Sequence, residues 1–257
     1  LHALRRDATL FTGANLATIE RDLREVDLTG TIRRQPVCAV TPDQQIRTVF
    51  DEMYIHINQL RTMLRTEVDL LSNRWLFKYL THILDERMLE MIAANPLRYI
   101  DTPVSINVNV ESLLSTHFSQ FDAAIKPEMK VSIVFEVPVV DVFADMTAFK
   151  YARQDAQKMG YRVCLDGLTT ESFLNIDRGK LGLDLIKLQW NADVKDDMRS
   201  PEYIAMIEAV KSCGTNRVIL CRCDNLQAVQ YGHALGISLF QGRFVDSLIN
   251  PTAKVTN

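Results

Sequence analysis

From Val104 onward, short apolar runs of strand length alternate with amphipathic stretches of helical length, and this pattern limits the fold more than any other feature. Strands are expected at 103–109, 131–137, 161–166, 183–188, 217–222 and 237–240. Helices between them are expected to centre near 110–125, 142–159, 170–178, 200–212 and 224–235. Two earlier candidates, Pro36–Val40 and Glu52–Ile57, bring the expected strands to eight. Strands alternating with helices argue for parallel βαβ units, and eight of them argue for an α/β fold closed into a TIM-like (β/α)8 barrel. An open, doubly wound sheet has the same periodicity and stays open as an alternative at this point.

The remaining segments fit around that frame. Over residues 1–30, Leu16, Ile19, Leu23 and Val26 recur at spacings of three and four. They form one apolar stripe among charges, as in a helical segment that caps the domain or links it to another module. The expected division is therefore 1–30 as a linker or cap and 31–257 as the barrel domain. Thr41-Pro42-Asp43 resembles a helix start and predicts a short helix ending near Val49. A longer helix is expected over 72–94, with Leu76, Leu80, Ile83, Leu84 and Met88 toward the core and Asn95-Pro96 ending it.

A formal charge of −3 and a pI near 6.0 offer nucleic acid and anionic membrane no electrostatic attraction, and neither is expected as a partner. The five cysteines form no CxxC pair and lie mostly in apolar runs, which points to a reduced, cytoplasmic setting. No apolar run reaches the length of about 18 residues that suggests a membrane span. The chain begins on Leu1, so it is expected to be a fragment of a longer protein whose missing part can carry a membrane anchor or sensor.

The polar residues on these strands are the candidate site. Glu52, Asn107, Glu136 and Asp166 fall on or at the ends of four successive strands. Lys187 lies on the next strand, and Gln241 follows the last. Carboxylates and an amide in apolar strands are costly to bury unless paired or bound to a cation. If they converge, they form an oxygen-only donor set of the kind that holds Mg²⁺, Mn²⁺ or Ca²⁺, with Lys187 placed to position a water or neutralise a phosphate. The competing reading is an internal ion network in which Lys187 simply pairs with Glu136 and Asp166.

In order and spacing these residues resemble the EAL domain family, the cyclic di-GMP phosphodiesterases, over roughly Gln35 to Asp246. The matching pieces are VSINVNVESLL (104–114), VFEVP (134–138), VCLDGLT (163–169), LDLIKLQ (183–189) and LGISLFQGRF (235–244). QPV at 35–37 and Glu52-Met53-Tyr54 stand where the family has its opening QPI and its Glu-Ala-Leu signature. The resemblance implies that Glu52, Asn107, Glu136 and Asp166 are first-metal ligands, that Lys187 is the water-holding catalytic lysine, and that Gln241, with Asn107 and Asp166, contacts the dinucleotide.

The departures bear on activity. Gly167 replaces the second aspartate of the family's DDFG, and Cys221 replaces the glutamate of its AEGVE segment, both second-metal ligands. Gln189 stands for the aspartate of KID, and Leu168-Thr169 for the Phe-Gly that opens the dimer-contacting loop. Two-metal hydrolysis needs both cations about 3.5–4 Å apart. The expectation is thus a degenerate, catalytically inactive EAL-like signalling domain that regulates by contact with a partner protein. It requires no cofactor, and its vestigial first-metal site would hold at most a single Mg²⁺ or Ca²⁺ ion. A cyclic di-GMP receptor that binds without hydrolysis is the alternative, and a residual phosphodiesterase the third reading.

Overall fold

The computed structural model describes residues 9–43, 45–191 and 200–249. The expected helical content of residues 1–8 lies outside them. Eight strands close into a barrel in the order β8-β1-β2-β3-β4-β5-β6-β7. They are β1 (Ile32–Val40), β2 (Ile46–Ile55), β3 (Val104–Asn107), β4 (Ile133–Pro138), β5 (Arg162–Leu168), β6 (Leu185–Gln189), β7 (Val218–Cys221) and β8 (Leu239–Phe240). Each of the six later strands lies within or overlaps its expected span.

Two details differ from the sequence reading. The segment 41–49 is not a helix. Thr41 N–H donates to the Gln45 carbonyl at 2.9 Å and Gln45 N–H to Thr41 Oγ1 at 3.0 Å, closing a tight hairpin. The strand that follows starts at Ile46, where Ile, Thr, Val, Phe, Tyr and Ile make a β-prone run. A five-residue connection cannot carry a crossover, so β1 runs antiparallel to both β2 and β8, while all other neighbours are parallel. The barrel is closed as expected but not all-parallel.

The interior follows from the two-residue period of a strand. Val37, Phe50, Val134, Cys164, Leu185, Ile219 and Leu239 are buried in one cluster that plugs the barrel. Two residues further along each parallel strand come Glu52, Glu136, Asp166, Lys187, Cys221 and Gln241. On β1, which runs the other way, the equivalent step is two residues back, to Gln35. One layer above an apolar plug, the same alternation therefore delivers a ring of polar side chains to the C-terminal mouth.

Helix α1 (Gly13–Glu25) packs with α2 (Ile57–Met63) and α3 (Arg74–Ala94) in a second apolar cluster that includes Ile19, Leu23, Leu28, Leu60, Leu80 and Leu84. Asn73 caps α3, its side chain accepting from Trp75 N–H and Leu76 N–H. Among the described residues no helix is long and apolar enough to cross a membrane. All five cysteines are unpaired and buried.

Candidate functional site

The polar ring surrounds an open cleft of about 350 Å³, lined by Glu52, Asp166, Lys187, Gln189, Cys221, Arg222 and Gln241, with Gln35, Asp224 and Arg243 at its sides. Its floor is organised by Lys187, only 2 % exposed. The Lys187 ammonium donates to Glu52 Oε2 and to Glu136 Oε2, both at 2.6 Å. Glu52 is fully engaged, because Gln241 Nε2 also donates to its Oε2 at 2.6 Å and Asn107 Nδ2 to its Oε1 at 2.7 Å. Glu136 is completely buried, and its Oε1 has no hydrogen-bond partner.

Asp166 follows the same alternation, two residues after Cys164, and the strand is then bent just beyond it. Between Leu165 and Leu168 the pairing of β5 with β6 shifts by one residue, a bulge that turns the strand end. Gly167 occupies the bulge at φ 88, a conformation that favours glycine, and its N–H supports the Asp166 carboxylate. The structure thus brings all six sequence-predicted residues to one end of the barrel. Glu52, Asp166, Lys187 and Gln241 line the cleft, whereas Asn107 and Glu136 are not in its wall and act on it through Glu52 and Lys187. Sequence reasoning missed Gln35, whose signal was its place two residues before Val37 on a strand of reversed direction. Its amide donates to Asp246 at 2.9 Å.

The electrostatics follow from one ammonium among three carboxylates. Burial works against the Lys187 charge, but Glu136 and Glu52 outweigh it and hold its pKa well above the ordinary lysine value. Burial also pushes Glu52 up, and Lys187, Asn107 and Gln241 more than reverse this, leaving it below the usual carboxylate range. Glu136 goes the other way: burial raises it, Lys187 offsets only part, and the charges of Glu52 and Asp166 add to the rise. Asp166 is raised by burial and by Glu52, against Lys187, Gly167 N–H and Arg222. Lys187 therefore keeps its proton and Glu52 stays ionised, while Glu136 is the group of this pair that gains one first.

This arrangement does not fit a divalent cation. The Lys187 ammonium already bridges the two carboxylates, and Asn107 presents its N–H rather than its carbonyl to Glu52. On the far wall Cys221 offers a thiol that burial pushes well up, a poor match to a hard cation, and Gly167 offers no side chain. Among the described residues no group of three or more His, Cys, Asp or Glu side chains is placed to hold a metal ion. The internal ion network is thus what the distances give for Glu136 and Glu52, though not for Asp166.

No family model matches the sequence, and no curated protein matches it. Solved structures do. The EAL domain of FimX from Xanthomonas citri, in complex with c-diGMP, matches with a TM-score of 0.58 at 12 % identity, over 90 % of this chain and 93 % of that one. The fold is that of an EAL domain. A Vibrio cholerae LapD structure comprising an S helix, a GGDEF and an EAL domain aligns with a TM-score of 0.63 at 16 % identity, over 94 % of this chain. The Bacillus subtilis YkuI protein, with an EAL domain in complex with c-di-GMP and calcium, gives 0.61 at 15 %, over 90 % of this chain. The chain spans 59 % of the LapD chain and 56 % of the YkuI chain. At these identities the EAL likeness is one of fold.

Proposed function

We propose that this chain is an EAL-fold signalling domain that has lost phosphodiester hydrolysis and regulates by contact with a partner protein. The observation that carries the reading is the Lys187 ammonium held at 2.6 Å by both Glu52 and Glu136. An ammonium held between two carboxylates in this way neither deprotonates a water nor leaves those carboxylates free to bind metal. The replacements at Gly167 and Cys221 remove the donors a second cation would use. The test is incubation of cyclic di-GMP with the protein and Mg²⁺ or Mn²⁺, followed by chromatography. The dinucleotide should be recovered intact, and steady accumulation of the linear product would end this reading.

A second reading has its own support. The cleft is open and polar, and the side chains of Gln189 and Arg222 in its wall make no hydrogen bond among the described residues. FimX and a second LapD structure, the latter similar with a TM-score of 0.64, hold c-di-GMP. In this reading the cleft binds cyclic di-GMP without cutting it, and occupancy sets the protein contact. Calorimetric titration decides it: saturable heat supports the receptor, and no heat at any ligand concentration rejects it.

A further inference from the structure

The cleft has three cationic side chains, and two of them are already committed. Lys187 is shared by Glu52 and Glu136, and Arg243 pairs with Asp224 at 2.7 Å. Arg222 makes neither a hydrogen bond through its side chain nor an ion pair among the described residues, although its charge acts on Asp166 and Asp224. We propose that Arg222 anchors a phosphodiester group of a cyclic dinucleotide in this cleft, and that it does so without a divalent cation. The proposal rests on the receptor reading above and adds to it the anchoring residue and the independence from metal.

The backbone supports this assignment. Arg222 sits at φ 60, in the left-handed region that L-residues with a side chain occupy at a cost and glycine occupies freely. The turn around it is held on both sides: Cys223 N–H donates to the Gln241 carbonyl at 3.0 Å, and Phe244 N–H to the Cys223 carbonyl at 3.0 Å. Gly242 packs so closely on that turn that an added Cβ would lie 2.4 Å from the Cys223 nitrogen. Among the described residues, this side chain on a strained and fixed turn has no hydrogen bond or ion pair to account for that conformation. Its use lies in what it presents to the cleft. Arg222 is exposed, and the fixed turn sets where its side chain departs toward the cleft, where its guanidinium offers a planar fork that matches two phosphate oxygens. The neighbouring Gln189, paired in register with Cys221, supplies a neutral donor and acceptor beside it.

The experiment compares wild type with Arg222→Gly and Arg222→Lys by calorimetric titration of cyclic di-GMP, in EDTA and in excess Mg²⁺ or Ca²⁺, with inorganic phosphate as a control. Wild type should bind equally well in EDTA and with either cation. Arg222→Gly should bind about tenfold or more weakly, the loss of one charge-assisted contact, and Arg222→Lys should fall between. Relief of the left-handed strain should also raise the melting temperature of Arg222→Gly by about 2–5 °C. Binding that requires Mg²⁺ or Ca²⁺, or an Arg222→Gly variant that binds like wild type, overturns the proposal and leaves the receptor reading intact. A lower melting temperature for Arg222→Gly would show an arginine kept for stability and overturns it as well. Phosphate binding as tightly as the dinucleotide would reveal a bare anion site, against the assignment. No binding of the dinucleotide under any condition overturns both the proposal and the receptor reading.

Discussion

At the barrel mouth Glu52 and Glu136 share the Lys187 ammonium, whereas Asp85, buried on α3, is surrounded by neutral donors. Asp85 Oδ2 accepts from Asn109 N–H at 2.7 Å, from Asn109 Nδ2 at 2.6 Å and from Ser112 Oγ at 2.8 Å. Ser112 in turn meets His82 Nδ1 at 2.8 Å, and His82 Nε2 lies 3.6 Å from Glu86. The nearby charge that acts on Asp85 is Asp141, itself paired with Lys78. Burial pushes Asp85 up to about 7 in spite of its three hydrogen bonds. Neutral donors do not keep the buried Asp85 ionised, whereas the partly exposed Glu52 is kept ionised by the ammonium together with Asn107 and Gln241, and the fully buried Glu136 is not, although it shares that ammonium. Both clusters bear on one segment, since Asn107 serves the first and Asn109 the second.

Removing the cation breaks the comparison most severely. Lys187→Met leaves Glu52 and Glu136 buried and uncompensated, and should lower stability by about 3–5 kcal/mol at pH 8. Near pH 5 the loss should shrink, because the abandoned carboxyls can then take up protons. Urea denaturation at both pH values measures it. A loss below about 1 kcal/mol at pH 8 would mean that the ammonium does not govern this cluster. Glu136→Gln added to Lys187→Met should recover part of the loss.

The second cluster predicts a pH slope. In the folded chain Asp85 titrates at about 7 against an ordinary value of 3.8. The native state therefore holds a proton that the unfolded chain has released, and stability falls as pH rises through that window. The fall is on the order of 4 kcal/mol at most. Asp85→Asn should flatten the dependence of melting temperature on pH between 4 and 7, and an unchanged slope would refute the assignment. Glu136, Asp166 and Asp246 are shifted the same way and should leave a smaller slope behind. Ser112→Ala removes one donor to the ionised form and should cost about 1–3 kcal/mol at pH 8, and less at pH 5, where Asp85 is protonated.

The two clusters were not equally legible in the sequence. Glu52, Glu136, Asp166, Lys187 and Gln241 follow apolar positions at a spacing of two on successive strands, so one rule of periodicity predicts that they converge. Asp85 follows no such rule. It lies on the same face of α3 as Leu89 and Ile92, both fully buried, yet a lone acid in a charged helix reads as solvated. Its partners come from the segment after β3, which only the closed barrel brings alongside. The hairpin at Thr41–Gln45 was misread for a related reason. Pro42 and Asp43 suit a helix start and a turn alike, and the β-prone residues after Gln45 decide between them. That Lys187 takes the carboxylates a metal would need was written in the sequence as one of two alternatives, and only distances separate them.

The smallest expected effect sharpens the comparison by holding geometry nearly constant. Arg243 and Asp224 at the rim of the cleft meet at 2.7 Å, almost the 2.6 Å of the Lys187 contacts on its floor. Arg243 is 72 % exposed, so water screens the pair in the folded state and solvates each partner when it is broken. Arg243→Ala should therefore leave the denaturation midpoint nearly unchanged, whereas Lys187→Met at almost the same contact distance should lower it clearly. Added salt should erase what little the rim pair contributes and leave the floor contacts unaffected. Chemical denaturation of both variants across a salt series tests this. Equal losses for the two would mean that contact distance, and not burial, sets what an ion pair is worth in this barrel.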